Sequence, residues 1–109
     1  MAEIARTRDQ PYVAVIFTSL RTPDDDGYAA TAVRMEELAA QQPGYLGIES
    51  ARDGVGITVS YWATEEDAHA WKRVAEHLAT QQTGRERWYQ EYTVRIAQVT
   101  RDYRFERAR

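Results

Sequence analysis

The chain has 109 residues, a hydrophobic fraction of 43%, a charged fraction of 28% and a formal net charge of −3. That length fits one domain, and the acidic balance lacks the basic stripe with which nucleic-acid-binding proteins neutralise phosphates. The absence of cysteine excludes disulfides, thiolate nucleophiles and cysteine-based metal sites. We therefore expect one globular domain with no nucleic-acid partner. Without a long apolar run we expect no membrane span, and a cysteine-free chain fits a cytoplasmic location.

The first predicted element is a β-strand over residues 12–20, YVAVIFTSL, which is rich in valine, isoleucine and aromatic residues. A charged segment over residues 1–10 precedes it, and we expect that segment to be a flexible N-terminal tail. Side chains of a strand alternate between its two sides, and here both sides are apolar, so we expect both to be covered. One side carries Val13, Val15 and Phe17, and the other carries Ala14, Ile16 and Leu20.

A helix is predicted next, over residues 21–44. Thr22 is placed to cap its N-terminus, and Asp25 completes a capping box three residues later. Pro43 and Gly44 end the helix. Apolar residues recur at helical spacing and predict one buried stripe, formed by Tyr28, Ala32, Met35, Leu38 and Ala39.

A β-hairpin is predicted over residues 44–63. Asp53-Gly54 separates two runs of alternating residues, which is a strong signal for two antiparallel strands joined by a tight turn. Trp62 ends the second run on the face shared with Gly56, Thr58 and Ser60. We expect Trp62 to serve in packing or at an interface rather than in catalysis.

A second helix is predicted over residues 64–84, with Thr64 and Asp67 as its capping box. His69 falls nearly opposite its apolar stripe, whereas His77 falls on the flank of that stripe, so the two histidines cannot share a zinc ion. The stripe consists of Ala68, Trp71, Val74, Ala75 and Leu78.

The last predicted element is a long strand over residues 92–106, after a short helical turn within 85–92 and before a charged end over 107–109. Most strands have five or six residues, and a strand that outruns its own sheet often reaches a second subunit.

The predicted order is β-α-β-β-α-β, the ferredoxin-like arrangement of an α+β domain over residues 11–106. Two helices cover only one face of a four-stranded antiparallel sheet. Because the first strand is apolar on both sides, we expect a homodimer that packs sheet against sheet, the dimeric α/β barrel.

Three segments carry a resemblance to a known family. SYWATEEDAHAW, EHLATQQTGR and YTVRIAQVTRDY, with the order of elements, resemble the antibiotic biosynthesis monooxygenase domain, and more narrowly its small stand-alone bacterial members. The resemblance covers roughly residues 12–105 and is strongest over 59–103. It implies a dimeric α/β barrel whose subunits each hold a pocket between sheet and helices.

The resemblance leaves several activities open, because a fold alone does not fix function. Some members of this family oxidise phenols with oxygen and need neither metal nor flavin, others bind and degrade haem, and others have no known substrate. The haem-degrading pattern has an asparagine on the first strand, where this chain has Ile16 or Phe17, and the chain contains no asparagine. Its tryptophan matches Trp71, but His77 follows Trp71 more closely than that pattern requires.

The predicted function is that of a cofactor-independent monooxygenase acting on a small aromatic or quinone-like substrate. Trp71, Val74, Trp88 and Tyr89 are the predicted substrate-binding residues, and neither a metal nor a cofactor is expected. His77 is the predicted base or orienting group, and Arg85 the predicted anion stabiliser. The alternative is a non-catalytic module that binds a small apolar molecule in the same pocket or acts in a stress response, and haem binding is a third reading.

Overall fold

Four strands form one antiparallel sheet in the order β2-β3-β1-β4. The computed structural model describes residues 3–81 and 84–108, and for residues 79–81, 84 and 85 the description covers the backbone only. The elements are β1 (Tyr12–Arg21), α1 (Tyr28–Ala40), β2 (Tyr45–Asp53), β3 (Val55–Trp62), α2 (Glu65–Gln81), α3 (Gly84–Trp88) and β4 (Tyr89–Val99). This is the predicted ferredoxin-like α+β fold.

The local signals for the hairpin and for α2 work as the sequence predicts. Gly54 adopts φ 78° in the turn between β2 and β3, a conformation that costs glycine little. The Thr64 hydroxyl accepts a hydrogen bond of 3.0 Å from the Asp67 backbone N–H, which caps α2. Three acidic residues, Glu65, Glu66 and Asp67, occupy its first turn.

The predicted start of α1 is wrong. The helix begins at Tyr28, after Gly27 in the left-handed conformation, and no side chain caps it. Thr22 instead donates to the carbonyl of Arg87, and Asp25 pairs with Arg21 at 2.9 Å. The acidic residues before α1 therefore form ion pairs with Arg21 and Arg87, and they do not form a capping box.

The predicted bounds of the last strand are also wrong. β4 begins at Tyr89 and ends at Val99, which pairs with Tyr12, the first residue of β1. Beyond Val99 no residue of β1 remains to pair with it, so the ladder stops, although the alternating pattern in the sequence continues. The residues that follow carry exposed aromatics, Tyr103 at 95% and Phe105 at 82% exposure.

The hydrophobic core lies between one end of the sheet and the two long helices. Trp62 is fully buried, and its ring stacks on that of Trp71 with 5.7 Å between centroids. Its Nε1–H donates to the Ser60 hydroxyl at 2.8 Å, so the indole is satisfied as well as packed. The packing role predicted for Trp62 is confirmed. The buried cluster comprises Val13, Val15, Ala39, Trp62, Ala68 and Trp71.

The sheet face away from the helices is only partly covered. The N-terminal segment crosses it, where the Ala5 N–H donates to Glu49 at 2.9 Å and Thr7 donates to the Tyr12 hydroxyl at 3.0 Å. Apolar side chains elsewhere on this face stay exposed, with Val55 at 48% and Ile57 at 46%. Among the described helices, none is long and apolar enough to cross a membrane.

Candidate functional site

A cavity of about 260 Å³ opens between the sheet and the helices, beside the core. Its size is just below the range typical of pockets for drug-sized ligands, so it suits a small, compact molecule. Residues from β1–β4 form its floor, and α1, α2 and the α3–β4 junction form its walls.

The sheet beneath the cavity is made of rows of residues that run across all four strands. One row is Arg52, Gly56, Ser19 and Tyr92, in the order of the strands. The next row, one pleat closer to the core, is Ser50, Thr58, Phe17 and Val94, and the third is Ile48, Ser60, Val15 and Ile96.

These rows divide the floor into two halves of different chemistry. Over β2 and β3 the lining side chains include the hydroxyls of Ser50, Thr58 and Ser60 and the guanidinium of Arg52. Over β1 and β4 they are aliphatic or aromatic, namely Val15, Phe17, Tyr92 and Val94. A ligand that lies across the floor therefore meets hydrogen-bonding groups at one edge and apolar groups at the other.

Aromatic rings dominate the wall above the apolar half. Phe17 and Tyr89 meet edge to face at 5.3 Å between centroids, and Tyr28 meets Trp88 in the same way at 5.7 Å. Trp71 closes the end nearest the core. Rings arranged at steep angles present flat faces and polarised edges to a planar aromatic ligand.

Tyr89 is a neutral hydrogen-bonding group at physiological pH. Burial raises the pKa of Tyr89 well above its ordinary value of 10.0, and the neighbouring Tyr28 raises it further. Arg21 and Arg52 act in the opposite direction, without overcoming the burial. A phenol held neutral in this way can donate a hydrogen bond to an anion, but it is a poor base.

The segment that carries Trp88 and Tyr89 is fixed to the loop before α1. The Trp88 indole donates to the Asp26 carbonyl at 2.8 Å, and the Thr22 N–H donates to the Trp88 carbonyl at 2.9 Å. Arg87 adds ion pairs with Asp24 at 3.3 Å and with Asp26 at 3.0 Å. These contacts hold two aromatic walls of the cavity in place.

The predicted site residues fall in different places. Trp71, Trp88 and Tyr89 line the cavity, whereas Val74 packs against the core behind it. His77 is exposed on α2 and is not among the lining residues. The side chain of Arg85 lies outside the described residues.

Sequence reasoning missed Arg52, Ser50 and Thr58, which form the polar half of the floor. The signal was present in the hairpin itself. Pairing outward from the Asp53-Gly54 turn places Arg52 opposite Gly56 and Ser50 opposite Thr58. These polar residues share their side of the hairpin with Trp62, and its large indole makes that side resemble a packing surface. In the described part of the chain, no group of three or more His, Asp or Glu side chains is arranged to hold a metal ion.

Comparison with known proteins adds family and fold to this geometry. Residues 11–83 match the model of the antibiotic biosynthesis monooxygenase family. The chain is 48% identical over 105 residues to the uncharacterized protein YqjZ of Bacillus subtilis, which spans 94% of this chain and 92% of that protein.

Two solved structures share the fold at low identity. SnoaB, a cofactor-independent oxygenase from Streptomyces nogalater, superposes with a TM-score of 0.64 at 12% identity, over 90% of this chain and 100% of that one. Protein SO0527 from Shewanella oneidensis gives a TM-score of 0.68 at 10% identity, over 84% of this chain and 93% of that one. Because the family model covers most of the chain and a relative of nearly equal length shares almost half of its residues, the chain belongs to the antibiotic biosynthesis monooxygenase family.

Proposed function

We propose that the protein is a cofactor-independent oxygenase that oxidises a small aromatic or quinone-like substrate with molecular oxygen. The observation that carries this proposal is the cavity, whose aromatic walls and divided floor fit one planar ring system with an oxygen substituent at its edge. Family membership and the fold shared with an oxygenase support it.

The proposed reaction draws its electrons from the substrate. A ring CH₂ that is acidified by a neighbouring carbonyl or phenol loses a proton, and the resulting carbanion transfers electrons to O₂ and forms a peroxide at that carbon. Loss of water then leaves a carbonyl, so that CH₂ and O₂ become C=O and H₂O. The protein contributes orientation and stabilisation of the negative charge on the substrate oxygen.

Individual residues have separate proposed roles. Trp71 and Trp88 hold the ring plane by stacking. Tyr89 donates a hydrogen bond to the substrate oxygen, a role that its neutral state permits. The catalytic roles of His77 and Arg85 remain predictions, and because His77 is exposed outside the cavity lining, we assign the departing proton to water.

Oxygen consumption with anthrone-type substrates, which carry such a ring CH₂, tests the proposal. We expect uptake above the spontaneous rate, lost in Ala32→Trp because the new indole fills the cavity that Ala32 lines. Ala30→Trp is the matched control, since Ala30 is an exposed position of the same helix outside the lining. Wild-type uptake equal to the protein-free rate would overturn the proposal, and tight binding of these compounds without turnover would favour the non-catalytic binding module.

His77 is tested with the same assay. Turnover that survives His77→Ala would fit its surface position, and turnover that disappears while the variant stays folded would establish it as the base. A haem titration addresses the third reading: we expect no shift of the Soret band, since haem is far larger than a cavity of about 260 Å³.

We also propose that the protein is a homodimer packed sheet against sheet. The supporting observation is the partly covered face of the sheet, where Leu20, Val55 and Ile57 are 37%, 48% and 46% exposed. Removing such a patch from water would stabilise a small domain whose own core is modest.

A further inference from the structure

Arg52 differs from the other cations around the cavity in how its charge is balanced. Lys72 lies on the helix side and pairs with Glu76 at 2.6 Å. Arg21, beside Tyr28, pairs with Asp25 at 2.9 Å. For Arg52, no carboxylate of the described residues comes within ion-pair distance. Arg52 is an exposed residue that also lines the cavity, and the two lining carboxylates, Glu36 and Glu76, belong to the helices on the opposite side.

The Arg52 guanidinium is nevertheless held in a fixed position. Its Nη2 donates to the buried Ser19 hydroxyl at 2.7 Å, and Nη1 reaches the carbonyls of Ser19 and Gly54, both at 3.4 Å. All three acceptors are uncharged. Neutral hydrogen bonds orient a guanidinium while leaving its positive charge available to a ligand.

Gly56 makes this position possible. The Arg52 side chain lies across the Gly56 backbone, where a Cβ would overlap the guanidinium carbon and nitrogens. Gly56 is not in the left-handed region, so its φ does not require glycine. Gly56 therefore leaves the space that the Arg52 side chain occupies on the cavity floor.

We infer that Arg52 is a specificity-determining residue that binds the anionic oxygen substituent, a carboxylate or phenolate, of a planar aromatic substrate. This inference rests on the proposed function, because it takes the cavity as the substrate site. The anionic group lies over β2 and β3, between Arg52 and the hydroxyls of Ser50 and Thr58. The ring lies over β1 and β4, against Phe17 and Tyr92, and the oxygen that accepts from Tyr89 is a second substituent of the ring.

A matched pair of probes tests the inference by calorimetric titration. 2-Naphthoate and 2-naphthamide have the same two-ring frame and nearly the same shape, and only the first is an anion. We expect the wild type to bind naphthoate about tenfold more tightly than the amide, since a guanidinium–carboxylate contact is stronger than a neutral hydrogen bond. Arg52→Gln should abolish this preference and leave amide binding unchanged.

Two further variants separate position from charge. Gly56→Ala keeps the charge but displaces the guanidinium, so it should also lose the preference. Arg73→Gln removes the same charge from an exposed position of α2 outside the lining, so it should keep the preference. Circular dichroism and a urea titration establish that each variant is folded.

The inference is overturned if the wild type binds neither probe or binds both equally, if Arg52→Gln keeps the preference, or if Arg73→Gln loses it as well. Oxygen uptake is measured separately with anthrone, which is uncharged and carries the ring CH₂, so the two proposals fail independently. A preference without uptake would refute the oxygenase and retain the anion subsite. Oxygen uptake without a preference for naphthoate would retain the oxygenase and refute the anion subsite.

Discussion

At the scale of single residues, two stacked tryptophans have different roles: Trp62 belongs to the core, and Trp71 belongs to both the core and the cavity wall. Trp62 is fully buried and hydrogen-bonded within the sheet, whereas Trp71 is 5% exposed and lines the cavity. The sequence places Trp71 on an apolar helical stripe and Trp62 beside Thr58 and Ser60, and neither pattern by itself separates a core residue from a cavity wall. The two tryptophans differ because the cavity reaches Trp71 but does not reach Trp62.

Trp62→Ala should lower the free energy of unfolding by about 3–5 kcal/mol, because it leaves a large void beside Trp71 and an unpaired Ser60 hydroxyl. Urea denaturation measures the effect. Tyr103→Ala, at a position 95% exposed, is the control and should change stability by less than about 0.5 kcal/mol. A loss below about 1 kcal/mol for Trp62→Ala would contradict the core role.

The protein should lose stability in alkaline solution, beginning near pH 10. Burial, followed by the neighbouring Glu49, raises the pKa of Tyr61 above its ordinary value of 10.0, and burial also raises those of Tyr12, Tyr45 and Tyr89. Below pH 10 these tyrosines are neutral in both states and stability is complete. Above it the unfolded chain ionises first, so the free energy of unfolding falls as pH rises.

Urea titrations between pH 8 and 11 measure this slope, which should be shallower in Tyr61→Phe. That variant also loses the 2.6 Å hydrogen bond from the tyrosine hydroxyl to Glu49, which lowers stability at every pH by about 1 kcal/mol. The comparison therefore uses the slope and not the absolute value. Equal slopes in the two proteins would contradict the assignment to Tyr61.

At the scale of elements, the segment before α1 shows how a correct local signal leads to a wrong boundary. Thr22 and Asp25 have the spacing of a capping box, and that spacing predicts a helix through Gly27. In the structure their hydrogen-bonding groups bind Arg87 and Arg21 instead. Arg87 is 65 residues from Thr22, beyond the reach of a local pattern, whereas Arg21 is only four residues before Asp25 but belongs to β1.

Gly27→Ala distinguishes the two boundaries by the sign of its effect. If Gly27 lay inside a helix, alanine would stabilise the protein by roughly 0.5–1 kcal/mol. With Gly27 at φ 78°, alanine should instead destabilise it by roughly 1–3 kcal/mol. Gly54→Ala, also at φ 78° and with nothing within 4 Å of the added Cβ, is the matched control and should cost a similar amount.

Much of the fold could be predicted, because hydrophobic period and turn chemistry act within a few residues of one another. Asp53-Gly54 fixed the hairpin, and Thr64 fixed the start of α2. The end of β4 depends on where β1 begins, and the polar half of the cavity on the register that joins Arg52, Gly56 and Ser19. Both features depend on how the strands pair, and the pattern of a single segment cannot predict that pairing.

At the scale of the whole molecule, the two faces of the sheet serve different purposes. The helix face holds the core and the cavity, and the other face carries the exposed apolar patch of Leu20, Val55 and Ile57. A 109-residue chain gains from covering that patch in a dimer, and the cavity would stay within each subunit.

Ile57→Asp should convert the dimer to a monomer, because it places a carboxylate at the centre of the proposed apolar contact. Light scattering at micromolar concentration reads the mass directly. Val33→Asp, at a position 57% exposed on α1, is the control and should remain dimeric. A wild type that is monomeric under these conditions would contradict the sheet-to-sheet dimer.

The rows of side chains across the sheet have a consequence for how this protein can change over generations. The buried core lies in the rows of Val13 and Val15, and the proposed recognition of a ligand lies in the rows of Phe17 and Ser19, two to six residues farther along the same strand. Mutations at Ser50, Thr58 or Arg52 can therefore alter the accepted ligand with little loss of folding energy. Such a scaffold is evolvable, because substitutions at the cavity end of the strands change the free energy of unfolding little while the core at the other end stays intact.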